Sequence, residues 1–77
     1  MIIHRMASQA RKKLAKRIKE LRKKRRFTQE EAAEKAGIKY KYYQEMESTN
    51  PRDMKFSTLE KIAKGLGVPL SQLFKFK

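Results

Sequence analysis

Four side chains between positions 40 and 45 carry the hydrogen-bonding groups that complement base edges: Tyr40, Lys41, Gln44 and Glu45. At about 100° per residue they share one arc of a helix with Ser48, while Tyr43, Met46 and Glu47 fall on the other side. Gln pairs well with adenine, Lys with guanine and Glu with the cytosine amino group, so an arc of this composition suits the major groove of a duplex. Two duller readings stand beside this one. Glu45 also serves simply to exclude wrong sites by repelling phosphate, and Tyr40 and Tyr42 equally suit packing on neighbouring side chains.

Catalytic chemistry has little to work with. The chain has no Cys, a single His at position 4, three Gly at 37, 65 and 67 that form no phosphate cradle, and no clustered acidic ligands. Neither an enzyme, a metal centre nor a cofactor is expected. No apolar run approaches the length of a signal peptide or a membrane span, so a cytoplasmic protein is the expectation, nucleoid-associated when bound.

Charge points to the partner. Lys and Arg number 21 against 8 Asp and Glu, a net +13 on 77 residues. So many uncompensated cations repel one another and are relieved when phosphates replace their counterions, which favours nucleic acid or an anionic surface. Residues 1–26 carry +11, residues 27–47 carry −2 and residues 48–77 carry +4. No repeat or linker separates these blocks, so they are faces of one small domain spanning 10–77, preceded by a flexible extension at 1–9 in which His4 is an unstructured terminal residue.

Periodicity then supplies the elements that position the arc. From Ser8 to Arg26, Leu14, Ile18 and Leu21 fall at i, i+4 and i+7, with Lys and Arg elsewhere, giving a first amphipathic helix. Thr28-Gln29-Glu30-Glu31 is a capping box that opens a second, short helix with an inner face of Ala32, Ala33 and Ala36, ended by Gly37. A third helix is expected from Lys39 or Tyr40 to Met46 or Glu47, although Tyr40, Tyr42 and Tyr43 also suit a strand, followed by a loop over Ser48–Asp53 marked by Asn50-Pro51. Ser57-Thr58-Leu59-Glu60 reads as a second capping box before a fourth helix, which Gly67 closes. Leu70, Leu73 and Phe74 suit one or two turns of a fifth helix, with Phe74 in the core and Phe76 undecided between core, frayed tail and dimer patch. The fold class is all-α, with five helices and no sheet.

Small Ala33, Gly37 four residues on, and apolar Ile38, Tyr43 and Met46 form the pattern needed by two helices crossing steeply through a short turn. With RIKELRKKRRFTQEEAAEKAGI before it and STLEKIAKGLGVPLSQLF after it, the stretch Leu14 to Phe74 resembles the Cro and phage-repressor type of helix-turn-helix domain, also called the xenobiotic-response-element family. The resemblance implies a compact five-helix domain that binds double-stranded DNA, usually as a homodimer, without catalysis. It implies phosphate contacts from Gln29 at the start of the second helix and from Thr49, Asn50, Arg52 and Lys55 in the loop. It also implies a groove-facing set of Tyr40, Lys41, Gln44 and Glu45, and a structural ion pair between Arg22 and Glu47. The chain departs from the family in having Ala32 for the usual Leu, Tyr43 for an aliphatic residue, Lys39 for a Ser or Thr cap, and a loop about one residue longer than typical. The first two departures compensate in volume, provided the Tyr43 hydroxyl finds a partner.

The leading reading is a sequence-specific transcriptional regulator. Antitoxins, restriction-modification controllers and transcription-factor bridging proteins use the same domain, so a toxin or transcription factor as protein partner stays open. Membrane-surface binding by the basic first helix is disfavoured, because its narrow apolar stripe is already required by the core.

Overall fold

Residues 2–76 are described by a computed structural model, with side chains described from residue 9 onward; Met1, Lys77 and the side chains of residues 2–8, His4 among them, lie outside the described residues. Five helices follow in chain order: α1 (Ile2–Lys24), α2 (Gln29–Ala36), α3 (Tyr40–Met46), α4 (Phe56–Leu66) and α5 (Leu70–Leu73). No strand occurs among the described residues. The helix expected from Ser8 begins instead at Ile2, where no Pro or Gly interrupts the helical backbone.

One core joins all five helices. Leu14, Ile18 and Leu21 of α1 meet Ala32, Ala33 and Ala36 of α2, Tyr43 and Met46 of α3, Leu59, Ile62, Ala63 and Leu66 of α4, and Leu73 of α5. The departures at Ala32 and Tyr43 lie together in this cluster, the small residue on α2 and the large ring on α3. The ring is fully enclosed, but its hydroxyl has no hydrogen-bond partner among the described residues.

Three helices end in the same way. After α2, Gly37 takes a left-handed conformation (φ 72°), its N–H donates to Glu34 O and the Ile38 N–H donates to Ala33 O. After α4, Gly67 (φ 70°), Val68 and Ala63 O repeat the arrangement. Such 6→1 closures satisfy carbonyls left open at a helix end and turn an apolar residue back onto the core. Ile38 and Val68 both pack there. After α1 the motif recurs without glycine: Arg26 holds φ 60°, and the Phe27 N–H donates to Arg22 O at 3.2 Å. Phe27 packs on the core as Ile38 and Val68 do, so the ending fixes how the chain enters α2.

Thr28 then caps α2 as the sequence predicts, its N–H donating to Glu31 Oε1 (2.8 Å) while its hydroxyl accepts from the Glu31 N–H (3.0 Å). Lys39 gives α3 no side-chain cap. The second predicted box does not form. α4 starts at Phe56 with Lys55 before it, and Thr58 is already a buried helical residue. Thr58, Leu59, Ile62, Ala63 and Leu66 make one continuous buried face, so burial sets the helix phase two residues ahead of the Ser57 signal.

Phe74 is a further correction. It is 45% exposed, whereas Phe76 packs against the core. α5 ends at Leu73, so the i, i+4 relation that would bury Phe74 has lapsed. The Phe76 N–H donates to Phe74 O (3.0 Å) in a tight turn. Arg17 pins α5 to α1 through Nε to Gln72 O (2.8 Å) and Nη2 to Gln72 Oε1 (3.0 Å).

Gly65 has no turn to make, yet nothing larger fits. A Cβ there would stand 2.7 Å from Ala36 N and 2.9 Å from its Cα, so α4 crosses the end of α2 backbone against backbone. Gly65→Ala should therefore lower stability by about 1–3 kcal/mol in urea denaturation, because the obstructing atoms are main chain and cannot swing away. Arg26→Gly should act in the opposite sense, raising stability by up to about 1 kcal/mol by relieving a left-handed non-glycine residue, net of the freer unfolded chain. A fall in the urea midpoint of Arg26→Gly would contradict that account.

Candidate nucleic-acid interface

The outward arc of α3 is present as a surface. Tyr40 is 44% exposed and Lys41, Gln44 and Glu45 are exposed beside it, while Tyr43 and Met46 of the same helix are fully buried. The arc is braced from within. Gln44 Nε2 donates to the Tyr40 hydroxyl one turn earlier (3.2 Å), which aims the amide along the helix surface. Glu45 Oε1 lies 3.5 Å from Arg52 Nη1, and the same guanidinium stands 5.9 Å from the centre of the Tyr42 ring. Half-buried Tyr42 thus packs on the core and under Arg52. The four residues read from the sequence are brought together, and Arg52 joins them from the following loop.

What fixes α3 to the rest of the molecule is a bidentate ion pair. Arg22 Nε and Nη2 donate to Glu47 Oε2 and Oε1 at 2.7 and 3.0 Å, and Nη1 donates to Phe27 O at 2.7 Å. The two side chains retain only 11% and 1% of their exposure. Gln29 Nε2 adds a bond to Glu47 Oε1 (3.1 Å), so one carboxylate joins the end of α1, the start of α2 and the end of α3. Gln29 is half-buried and oriented by that bond at the entrance to α2. The Tyr43 hydroxyl lies near both charges but outside hydrogen-bond geometry with either. Burial and the Glu47 carboxylate push its pKa well above the ordinary phenol value, so it stays protonated.

The loop after α3 places Thr49, Asn50, Arg52 and Lys55 at the surface while burying Pro51. Arg11 holds this loop from α1, 40 positions away, with Nε donating to Pro51 O (3.2 Å) and Nη1 to Asp53 Oδ1 (2.8 Å). Sequence reasoning missed Arg11, since nothing in a run of basic residues distinguishes the one that reaches a distant carbonyl. The pattern is general: Arg17 clamps α5, Arg22 clamps α3, and Arg25 Nη2 donates to Gly67 O (2.9 Å) at the end of α4. A planar guanidinium with several fixed donors suits such bridging better than an ammonium does.

Among the described residues no group of three or more His, Cys, Asp or Glu is placed to hold a metal, and no helix is long and apolar enough to cross a membrane.

The ion pair makes stability depend on pH. Burial alone would push the Glu47 carboxyl up, but the hydrogen bond from Arg22, the neighbouring Tyr43 hydroxyl, the bond from Gln29 and the Arg22 charge outweigh it and hold its pKa below the ordinary value. A carboxyl whose folded-state pKa is depressed contributes stability that is fully present above the unfolded value, about 4.3, and is lost as pH falls through the folded one. Glu47→Gln should cost about 3 kcal/mol at pH 7, where it strands the Arg22 charge. The gap between variant and wild type should narrow below about pH 4. Parallel urea titrations at the two pH values measure both numbers.

These features match a known domain type. The helix-turn-helix family model matches residues 18–73, from the buried Ile18 of α1 to Leu73 of α5. No curated protein compared with the chain matches it significantly. With well over half its length covered, and with α2 and α3 joined through Gly37 as that domain requires, the chain belongs to the helix-turn-helix family of the Cro and phage-repressor type.

Proposed function

We propose that this protein is a sequence-specific transcriptional regulator that lays α3 in the major groove of double-stranded DNA. Its family is one of DNA-binding regulators, not typically enzymes. The observation that carries the proposal is the two-sidedness of α3: one side is sealed into the core by Tyr43 and Met46, and the other exposes Tyr40, Lys41, Gln44 and Glu45. A helix with side chains is about 10–12 Å across and the major groove about 12 Å wide, so such a face meets base edges.

In this reading Gln44 is the principal base reader, held in place by Tyr40, and Lys41 reads guanine. Glu45 orients Arg52 toward the backbone. Gln29, Thr49, Asn50, Arg52 and Lys55 contact phosphates and set register without reading sequence. Two copies bind half-sites about 10 bp apart, meeting near Leu70–Phe76, where exposed Phe74 lies. From residue 9 onward the apolar stripe of α1 is buried, which leaves it nothing to insert into a membrane surface.

Selection from random duplexes, followed by affinity measurements on the winner, tests the proposal. Gln44→Ala should lose about 1–3 kcal/mol on the selected site and little on random DNA. If Tyr40→Ala, Lys41→Ala and Gln44→Ala all leave the ratio of selected to random affinity unchanged while circular dichroism stays native, α3 is not the reader.

A further inference from the structure

The basic residues of α1 divide by type. Among the described side chains, Arg11, Arg17 and Arg22 each bind another part of the fold, whereas Lys12, Lys16, Lys19 and Lys23 are exposed and their ammonium groups make no ion pair or hydrogen bond to the described residues. Those four lysines are spaced four, three and four residues apart. At about 100° per residue they stay within an arc of about 60°, forming a straight row about 16 Å long. The row borders the end of the reading helix: Lys12, Lys16 and Lys19 face Ser48 and Thr49 across an open groove of about 260 Å³, with Glu47 at its floor.

That placement has a consequence for a helix in a groove. An α-helix nearly fills the major groove from wall to wall, so an element beside its end meets the sugar-phosphate backbone rather than bases. A row of ammonium groups with no protein partner, adjoining exposed Ser48 and Thr49, offers point charges where phosphates would lie.

We infer that the Lys12–Lys16–Lys19–Lys23 row of α1 is a second backbone-binding surface that grips the phosphates flanking the groove occupied by α3. The inference rests on the reading of α3 given above, and it assigns to α1 a role in affinity and none in sequence choice. Arg11, Arg17 and Arg22 build the domain; the lysines of the row hold the duplex.

The test compares two variants with the same charge change, Lys16→Gln/Lys19→Gln on the row and Lys61→Gln/Lys64→Gln on the exposed side of α4. Glutamine is a good helix former and all four positions are exposed, so thermal melts should match wild type. Binding to the selected duplex and to a random one is titrated against salt. Neutralising the row should lower the slope of log affinity on log salt by about 2, at about 0.9 for each phosphate no longer neutralised, and weaken both duplexes alike. The α4 variant should change the slope by less than about 1. Lys16→Arg/Lys19→Arg should restore the wild-type slope. Equal slopes for the two glutamine variants would overturn the inference and leave the α3 reading standing, and so would a row variant that keeps its duplex affinity but loses binding to vesicles of anionic lipid. A wild-type chain that binds no duplex overturns both readings.

Discussion

The carboxylate of Glu47 is the point on which the outward surface of α3 depends. It is nearly sealed from solvent, and it is acceptable there because Arg22 approaches it through two nitrogens and Gln29 through a third. α3 is only seven residues long, lacks a side-chain cap at its start, and would not hold its shape alone in water. Its position therefore comes from two attachments: the buried ring and thioether of Tyr43 and Met46, and the ion pair at its far end. The first is apolar and non-directional. The second is directional, and together with the burial of Tyr43 and Met46 on one side it holds the rotation of α3 about its own axis and hence which side chains face outward.

Arg22 also accounts for the unusual ending of α1. The same guanidinium donates to Phe27 O, and the Arg22 carbonyl accepts from the Phe27 N–H, so side chain and main chain of one residue close on the same partner. Arg26 is held in a left-handed conformation inside that closure. Glycine would adopt it with less strain, as Gly37 and Gly67 do after α2 and α4. The ring of Phe27 on the core and the two bonds to Arg22 keep the turn in place without it.

Local rules made much of this architecture legible in the sequence. The Thr28–Glu31 box, the glycines after α2 and α4, and the two sides of α3 each express physics that acts within a few residues, and each stands where the pattern placed it. The family resemblance supplied the partnership of Arg22 and Glu47, which composition and periodicity do not indicate. What stayed hidden was decided at a distance. Ser57 has the chemistry of a cap, but the burial of Thr58 overrules it. Gly65 carries no turn signal, because the demand for a missing side chain comes from the main chain of Ala36. Phe74 continues the apolar spacing of α5 past the residue where the helix stops. The surface placement of Tyr40, Lys41, Gln44 and Glu45 was legible from periodicity alone, whereas the Glu45–Arg52 coupling depends on how the loop after α3 folds back.

The clamp on Pro51 bears on how such a domain can change over generations. Because Ser48 is bonded back to Glu45 O, and Pro51 is buried with its carbonyl held by Arg11, the connection between α3 and α4 has a short tip at residues 49–50 between two tethered ends. Insertions and deletions that land in the tip alter the reach of Thr49 and Asn50 without shifting α4 or the core, whereas the same change after Pro51 would drag on the start of α4. A lineage carrying this clamp is thus free to vary the length of the tip and constrained after Pro51.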